Sequence, residues 1–204
     1  MTNHKPQIRL LIVCSYRDFR PDGINQFIKE QANAISMQGA VCEYYLVHGK
    51  GLSGYIREIP KLRKAIKSFR PNVIHAHYGL CGLLANIATR KIPVVTTYHG
   101  SDINIPEARR FSNWTLRLSA WNIFVSKRTM DLVKGSERKN CSLIPCGIDL
   151  TDDQLQNRAE ARKALGWSET DRMVLFAGMY MDDVKGPELA KDAIARVNRE
   201  KSTC

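Results

Sequence analysis

Residues 71–79 read Pro-Asn-Val-Ile-His-Ala-His-Tyr-Gly, and residues 92–104 read Ile-Pro-Val-Val-Thr-Thr-Tyr-His-Gly-Ser-Asp-Ile-Asn. Each segment contains a short apolar or β-branched run, at residues 73–75 and 94–97. Such continuous runs are typical of strands buried in a parallel sheet. Between them, Leu80 to Ala88 is rich in Leu and Ala, which favour helix. The stretch therefore predicts a strand, a helix and a second strand.

Polar residues follow both predicted strands. His75 and His77 end the first strand, and His99, Ser101 and Asp102 follow the second. In open α/β sheets, ligands bind in the crevice beyond the carboxyl ends of the strands. We therefore expect the ligand site in this crevice.

Strand and helix patterns alternate through the first three quarters of the chain. Further strands are predicted at residues 8–13, 41–47, 121–125 and 142–144, and further helices at 24–38, 56–70, 109–119 and 127–133. This alternation predicts an α/β fold with a doubly wound, parallel, Rossmann-like sheet. Residues 1–149 are predicted to form this domain.

The remaining residues have a different character. Residues 150–172 are predicted to form a polar linker and a short helix that ends at Gly166. Residues 173–204 predict a strand at 173–177, a turn and a helix at 187–197. One β-α unit cannot bury its own faces, since fewer than about 40 residues rarely form a core. We interpret it as a fragment of a second domain that packs on the first, exchanges with another molecule or is poorly ordered.

The chain has a formal net charge of +11, and its basic residues are densest in one predicted helix. From Arg57 to Arg70, Lys and Arg residues alternate with apolar residues at helical spacing. Such a helix presents either a solvated basic face or a surface that attaches to an anionic membrane leaflet. Nucleic acid is not expected as a partner, because no aromatic platform or groove-reading motif accompanies the charge.

Cysteine usage and the N-terminus indicate the compartment. The six cysteines are scattered and several lie in apolar runs, which is typical of reduced cytoplasmic thiols. The apolar run from Leu10 to Val13 is short for a signal peptide, and no small-residue cleavage site follows it. We expect a cytoplasmic protein that binds peripherally at the inner face of the membrane.

Two further patterns resemble other kinds of site. The pair His75 and His77 has a spacing that zinc can use, but no third ligand is evident and no metal is expected. Gly49, Gly51 and Gly54 match the GxGxxG fingerprint of dinucleotide sites. The match follows the second predicted strand, and no acidic residue lies about 20 positions further on to hold a ribose. We interpret the segment as a flexible loop, and a nicotinamide-dependent Rossmann enzyme is kept as an alternative.

Several motifs, in one order along the chain, resemble family 4 glycosyltransferases. These enzymes have the GT-B fold, two Rossmann-like domains with the active site in the cleft between them. The matching segments are residues 22–23, 71–79, 99–102, 124–127, 144–149, 162–166, 176–178 and 185–186. The resemblance implies that residues 1–149 are the N-terminal, acceptor-side domain. It also implies that residues 173–204 begin the nucleotide-sugar-binding domain.

The resemblance implies roles for individual residues. The catalytic residue would be His99, which would face the transferred sugar and its phosphate. The donor site would contain Gly23, Gly178 and Lys185, with Lys185 next to the leaving diphosphate. The acceptor or sugar site would contain His77, Tyr78 and Asp102. From the residues alone, His75 is predicted to be a core histidine, and Asp102 an anchor for the loop backbone.

The activity that the resemblance implies is sugar transfer of the hexosyltransferase type. The donor would be a nucleotide-sugar and the acceptor a polysaccharide or glycolipid, with retention of configuration and without a metal or other cofactor. The chain departs from the family pattern at residues 179–181, where an Arg is usual, and at Cys146, where an Asn is common. The family's Glu-x7-Glu segment would lie beyond Cys204, so we expect the chain alone to be inactive. The alternative from another class is a non-catalytic basic module that binds glycan or anionic lipid.

Overall fold

One parallel β-sheet forms the centre of the first part of the chain in the computed structural model. The structure describes residues 7–18, 20–133, 140–147, 157–170, 172–177 and 186–202. The chain divides into two compact units, Met1–Asp149 and Leu150–Cys204. This division falls at the predicted boundary between residues 149 and 150. The assignment of the second unit to a nucleotide-sugar domain stays a prediction.

Within the described ranges, six strands form the sheet, and all neighbouring strands are parallel. They are β1 (Arg9–Ser15), β2 (Val41–Val47), β3 (Val73–His77), β4 (Val94–Tyr98), β5 (Trp121–Phe124) and β6 (Cys141–Leu143). Their spatial order is β2-β1-β3-β4-β5-β6. Strand order therefore reverses between β1 and β3, where doubly wound sheets bind ligands. The predicted doubly wound, parallel sheet is confirmed.

Helices cover both faces of this sheet. They are α1 (Gln26–Met37), α2 (Gly51–Phe69), α3 (Gly79–Ala88), α4 (Ser101–Asn104), α5 (Pro106–Leu118) and α6 (Lys127–Asp131). Leu11 of β1 belongs to a core with Leu62 of α2 and Leu84 of α3. Its neighbour Leu10 belongs to a separate core with Ile28 of α1. Since successive strand residues point to opposite faces, β1 is buried on both sides, as its continuous apolar run predicted.

Helix α2 differs from its predicted form in two respects. It begins at Gly51, so the glycine-rich segment that we interpreted as a flexible loop is partly helical, and that prediction is wrong. A Cβ added at Gly49 or Gly54 would overlap the backbone of the other residue, so close packing explains these two glycines. Ile56, an apolar residue of the predicted helix, is 54% exposed, whereas Glu58 is buried. The Glu58 carboxylate accepts a hydrogen bond from the Tyr45 hydroxyl at 2.6 Å. Across the described ranges, no helix combines the length and apolar character needed to cross a membrane.

Strand β3 extends further than the sequence pattern predicted. It continues to His77, so both histidines lie inside the strand. Because they are two residues apart, their side chains point to the same face of the sheet. This placement brings the two rings together.

The second unit contains two helices in its described part, α7 (Arg158–Leu165) and α8 (Pro187–Ser202). Helix α7 ends at Leu165, and its C-cap is Gly166, which has a φ of 68°. The predicted end of this helix at Gly166 is confirmed. The predicted strand at residues 173–177 is wrong, because residues 172–177 form no strand. Its apolar side chains are exposed, from 40% at Phe176 to 85% at Leu175. A strand needs a neighbour to pair its backbone groups, and the described residues of this unit provide none.

Candidate functional site

The loops at the carboxyl ends of β1, β3 and β4 meet in one place. The side-chain amide of Asn25, which precedes α1, donates to the Tyr78 hydroxyl at 3.2 Å. The Tyr78 and His99 rings lie 4.8 Å apart between centroids. On its other side, the Arg17 guanidinium lies 5.4 Å from the centre of the Tyr78 ring. The predicted convergence of loops after the strands of this sheet is therefore seen in the structure.

Three histidines form a column under this site. The His75 and His77 rings stack at 4.5 Å, and the His77 and His99 rings stack at 5.3 Å. His77 Nδ1 and His99 Nε2 form a hydrogen bond of 3.0 Å. His75 Nε2 and the Thr97 hydroxyl form another, of 2.8 Å. His75 is 5% exposed, which confirms the prediction of a core histidine.

Burial keeps the histidine column uncharged near neutral pH. Loss of hydration lowers the pKa of His75 to about 4, and it also lowers the pKa of His99 to about 4. The pKa of His77 is well below its ordinary value because of its burial and the repulsion of the two other imidazoles. At pH 7 these rings act as neutral hydrogen-bond donors and acceptors rather than as cations.

A cavity of about 560 Å³ lies beside His99, and we name it the His99 cavity. Its walls include Phe27, Glu30 and Gln31 of α1, together with Thr97, Cys146 and Gly147. The Phe27 ring lies 4.6 Å from the His99 ring. His99 Nδ1 is 3.9 Å from the Cys146 thiol. Thus one ring nitrogen of His99 is held by His77, and the other lies on the side of the cavity wall.

His77 lies below this cavity rather than in its wall. It is 1% exposed, and Tyr78 and His99 come after β3 and β4 at the surface of the site. Its predicted contact with the sugar or the acceptor is not tested by these contacts and stays a prediction. Its observed contact is with His99.

Asp102 fixes the loop that carries His99. Its Oδ1 accepts hydrogen bonds from the His99 and Gly100 backbone N–H groups at 3.1 and 3.0 Å. Its Oδ2 accepts from the Gly79 N–H at 3.1 Å. Burial raises the pKa of Asp102 to about 6, although these N–H donors favour the carboxylate. The predicted loop anchor is confirmed, and a direct sugar contact by Asp102 stays a prediction.

Gly23 shapes the loop between β1 and α1. It has a φ of 72°, which favours glycine, and an added Cβ would overlap the Tyr16 ring. Its N–H donates to the Arg20 carbonyl at 3.1 Å, and its carbonyl accepts from the Arg17 N–H at 2.9 Å. Helix α1 begins three residues later, at Gln26. Gly23 therefore lies two residues before the N-cap residue Asn25, and its donor-binding role stays a prediction.

A second cavity, of about 360 Å³, lies on the Arg17 side of Tyr78. Its walls include Ser15, Arg17, Ser101, Asp102, Arg110 and Phe111. Arg17 Nε is buried and has no hydrogen-bond partner among the residues that the structure describes. Among the described residues, neither guanidinium forms an ion pair with a carboxylate. The cavity wall therefore holds two guanidinium groups together with the carboxylates of Asp102 and Glu107.

Sequence reasoning missed Arg17, Asn25 and Phe27. All three lie between β1 and the first turns of α1, in a segment that we described only as a polar loop and a helix. The available signal was the position of Arg17 directly after the first strand. The predicted donor residues Gly178 and Lys185 lie outside the described residues.

Comparison with known proteins gives a family for this arrangement. The model of Glycosyltransferase Family 4 matches residues 21–152. This range contains Gly23, His77, Tyr78, His99 and Asp102, whereas Gly178 and Lys185 lie beyond it. A D-inositol 3-phosphate glycosyltransferase of Acidothermus cellulolyticus is 26% identical over an alignment of 141 residues. This alignment covers 61% of this chain and 31% of that protein. The chain thus spans about a third of the length of this curated relative.

Solved structures share the fold at low identity. The apo form of the lipopolysaccharide outer core galactosyltransferase WaaB has a TM-score of 0.55 and 12% identity, over 71% of this chain and 47% of that one. A sucrose-phosphate synthase from Thermosynechococcus elongatus has a TM-score of 0.52 and 13% identity, over 68% and 89%. These likenesses show the α/β architecture of GT-B glycosyltransferases. Together with the match over residues 21–152, they show that the chain belongs to Glycosyltransferase Family 4.

Proposed function

We propose that the chain is part of an enzyme that transfers a sugar from a nucleotide-sugar donor to an acceptor with retention of configuration. The observation that carries this proposal is the placement of His99. Its ring stands at the carboxyl end of β4, its backbone is held by Asp102, and its Nδ1 lies beside a cavity of about 560 Å³. Enzymes gain rate from donors that are oriented in advance toward developing charge.

In the proposed reaction, His99 binds the transferred sugar or its phosphate through Nδ1. A neutral ring can donate one hydrogen bond without bringing a positive charge next to the buried His77 ring. Lys185 and Gly178, whose roles come from the resemblance, would hold the diphosphate as the bond between sugar and phosphate breaks. No metal is required in this scheme, and the inactivity of the chain alone stays a prediction.

The acceptor is proposed to be a polysaccharide or a glycolipid that enters the second cavity. Arg17, whose Nε is buried, and the exposed Arg110 favour an acceptor with an anionic group, because guanidinium groups bind carboxylate or phosphate partners. The curated relative is named for D-inositol 3-phosphate, which contains such a group.

Helix α2 is proposed to bind the anionic inner face of the membrane. Its exposed residues include Arg57, Lys61, Lys64 and Lys67, the C-cap residue Arg70 is exposed too, and the apolar Leu52 and Ile56 are also exposed. Each basic residue near an anionic leaflet contributes about 1 kcal/mol of attraction. This location agrees with a lipid-linked acceptor.

The nicotinamide alternative is not favoured. Gly51 and Gly54 belong to α2, which follows β2 at the edge of the sheet rather than the strands next to the reversal of strand order. The family match also disfavours a non-catalytic module.

Nucleotide-sugar binding tests the proposed function. The ¹⁵N signals of the 204-residue chain are followed while UDP- and GDP-sugars are added at millimolar concentration. We expect shifts at His99, Tyr78 and Thr97, and their loss in His99→Ala. The matched control is His48→Ala, which removes an exposed histidine that does not line the His99 cavity. If no nucleotide-sugar shifts the His99 signals, the proposal is contradicted.

A further inference from the structure

We propose that His77 is a positioning residue that fixes the proton of His99 on Nδ1, so that His99 is a hydrogen-bond donor toward the His99 cavity. The use of that donor on a sugar or phosphate oxygen rests on the proposed function. The placement of the proton does not, because it follows from contacts within the chain.

The first step concerns the number of protons that the pair holds. Both rings are largely or fully buried, and both have a lowered pKa, so each is neutral at pH 7. A neutral imidazole carries one proton, on either Nδ1 or Nε2. The 3.0 Å contact between His77 Nδ1 and His99 Nε2 therefore needs one donor and one acceptor.

The second step decides which ring donates. If His99 donates, the only proton of His77 lies on its Nε2, which has no hydrogen-bond partner in the described part of the chain. That would leave an N–H donor without an acceptor among the described residues, in a side chain that is 1% exposed. Orphaned N–H donors are rare in protein interiors, and an unused acceptor is tolerated better. Burial therefore places the proton of His77 on Nδ1.

The third step concerns the position of the proton on His99. Since His77 Nδ1–H donates, His99 Nε2 must accept, and the single proton of His99 lies on Nδ1. That nitrogen is the one on the side of the Cys146 thiol, 3.9 Å away, in the wall of the cavity. A thiol is a weak acceptor, so the Nδ1–H group is available to a stronger oxygen acceptor that enters.

His77 is itself held in place. Its ring stacks on His75, and the His75 ring is fixed by its 2.8 Å hydrogen bond to Thr97. Burial, and then repulsion from His75 and His99, oppose a second proton on His77. The pair thus keeps one donor and one acceptor.

The test is the tautomeric state of each ring. Long-range ¹H–¹⁵N spectra of the ¹⁵N-labelled chain at pH 7 distinguish a protonated from an unprotonated ring nitrogen. In the unaltered chain, we expect His77 and His99 to be protonated at Nδ1, with a preference of about tenfold or more. Protonation of His99 at Nε2 would overturn the proposal.

Two substitutions of similar volume separate donation from packing. His77→Asn places an amide N–H donor near the former Nδ1, whereas His77→Leu provides none. We expect His99 to stay protonated at Nδ1 in His77→Asn and to become a mixture near unity in His77→Leu. Equal preference in both variants would refute a positioning role. If His77→Leu does not fold, the spectrum of the unaltered chain and that of His77→Asn still decide the question.

Ligand binding is read separately. If no nucleotide-sugar shifts the His99 signals, the proposed function fails while the tautomer result stands. If nucleotide-sugars shift His99 in the unaltered chain and in His77→Asn but about tenfold more weakly in His77→Leu, both are supported.

Discussion

Lowering the pH from 7 to 5 should destabilise the first unit, because its histidine column is uncharged in the folded chain. The pKa of His75 and that of His99 are about 4 when folded, against 6.5 when unfolded. Between these values the unfolded chain binds more protons, so stability rises with pH and is lost as pH falls. The pKa of His77 shifts in the same direction.

The expected size follows from these values. For His75 and for His99, the step from pH 7 to pH 5 removes about 1.8 kcal/mol each. Asp102 acts in the opposite sense, because its folded pKa is raised from 3.8 to about 6 and the folded chain then binds the extra proton. It returns about 1.3 kcal/mol over the same step. The net loss is therefore about 2 kcal/mol, before His77 is added.

Urea unfolding at pH 7, 6 and 5 measures this loss, with the amide signals of β3 and β4 as the readout. His75→Gln should reduce the pH-dependent loss by about 1.8 kcal/mol. The control is His48→Gln, which removes an exposed histidine and should leave the difference between pH 7 and pH 5 unchanged. Equal stability at both pH values, or greater stability at pH 5, would refute the reasoning.

Further substitutions test the loops and surfaces of the site. Asp102→Ala leaves three buried N–H groups without their acceptor and should reduce the free energy of unfolding by about 3 kcal/mol, measured in urea. Gly23→Ala forces a side chain onto a φ of 72° and should cost about 2 kcal/mol in the same assay. Arg17→Gln should weaken binding of glucose 6-phosphate about tenfold by calorimetry and leave weak binding of glucose unchanged. Replacing Lys64 and Lys67 with Gln should weaken binding to phosphatidylserine vesicles about 30-fold in a sedimentation assay.

Three of these outcomes have a direct contradiction. An Asp102→Ala chain of normal stability would mean that the loop does not depend on the carboxylate. Equal loss of glucose and glucose 6-phosphate binding in the Arg17 variant would point to misfolding rather than to a lost anion contact. Vesicle binding that is unchanged by both lysine replacements, or that persists on neutral phosphatidylcholine, would contradict the proposed binding of α2 to an anionic membrane.

The sheet was predictable from the sequence because its strands are short apolar runs between helical patterns. The prediction failed where polar residues belong to an element. Strand β3 runs on to His77, which is paired with Thr97 of β4, whereas the apolar run of the sequence ends at His75. In α2, Glu58 is buried because the Tyr45 hydroxyl satisfies it, so Glu58 replaces Ile56 on the inner face.

The site was only partly predictable, for a different reason. His99 and Asp102 lie next to a recognisable strand end, and their place follows from local sequence. Arg17, Asn25 and Phe27 reach the site from β1 and α1, which are adjacent to β3 only through the strand order. A single sequence does not specify the strand order, so contacts between the loop after β1 and the loops after β3 and β4 could not be predicted from it.

The Asp102 carboxylate joins two loops that come from different strands. One oxygen holds the loop after β4 at His99 and Gly100, and the other holds the start of α3 at Gly79, next to Tyr78. A substrate that moves Tyr78 therefore strains the support of His99 as well. Substitutions in the two loops should consequently show strong epistasis, and a change of acceptor preference during evolution would require paired replacements on both sides of this carboxylate.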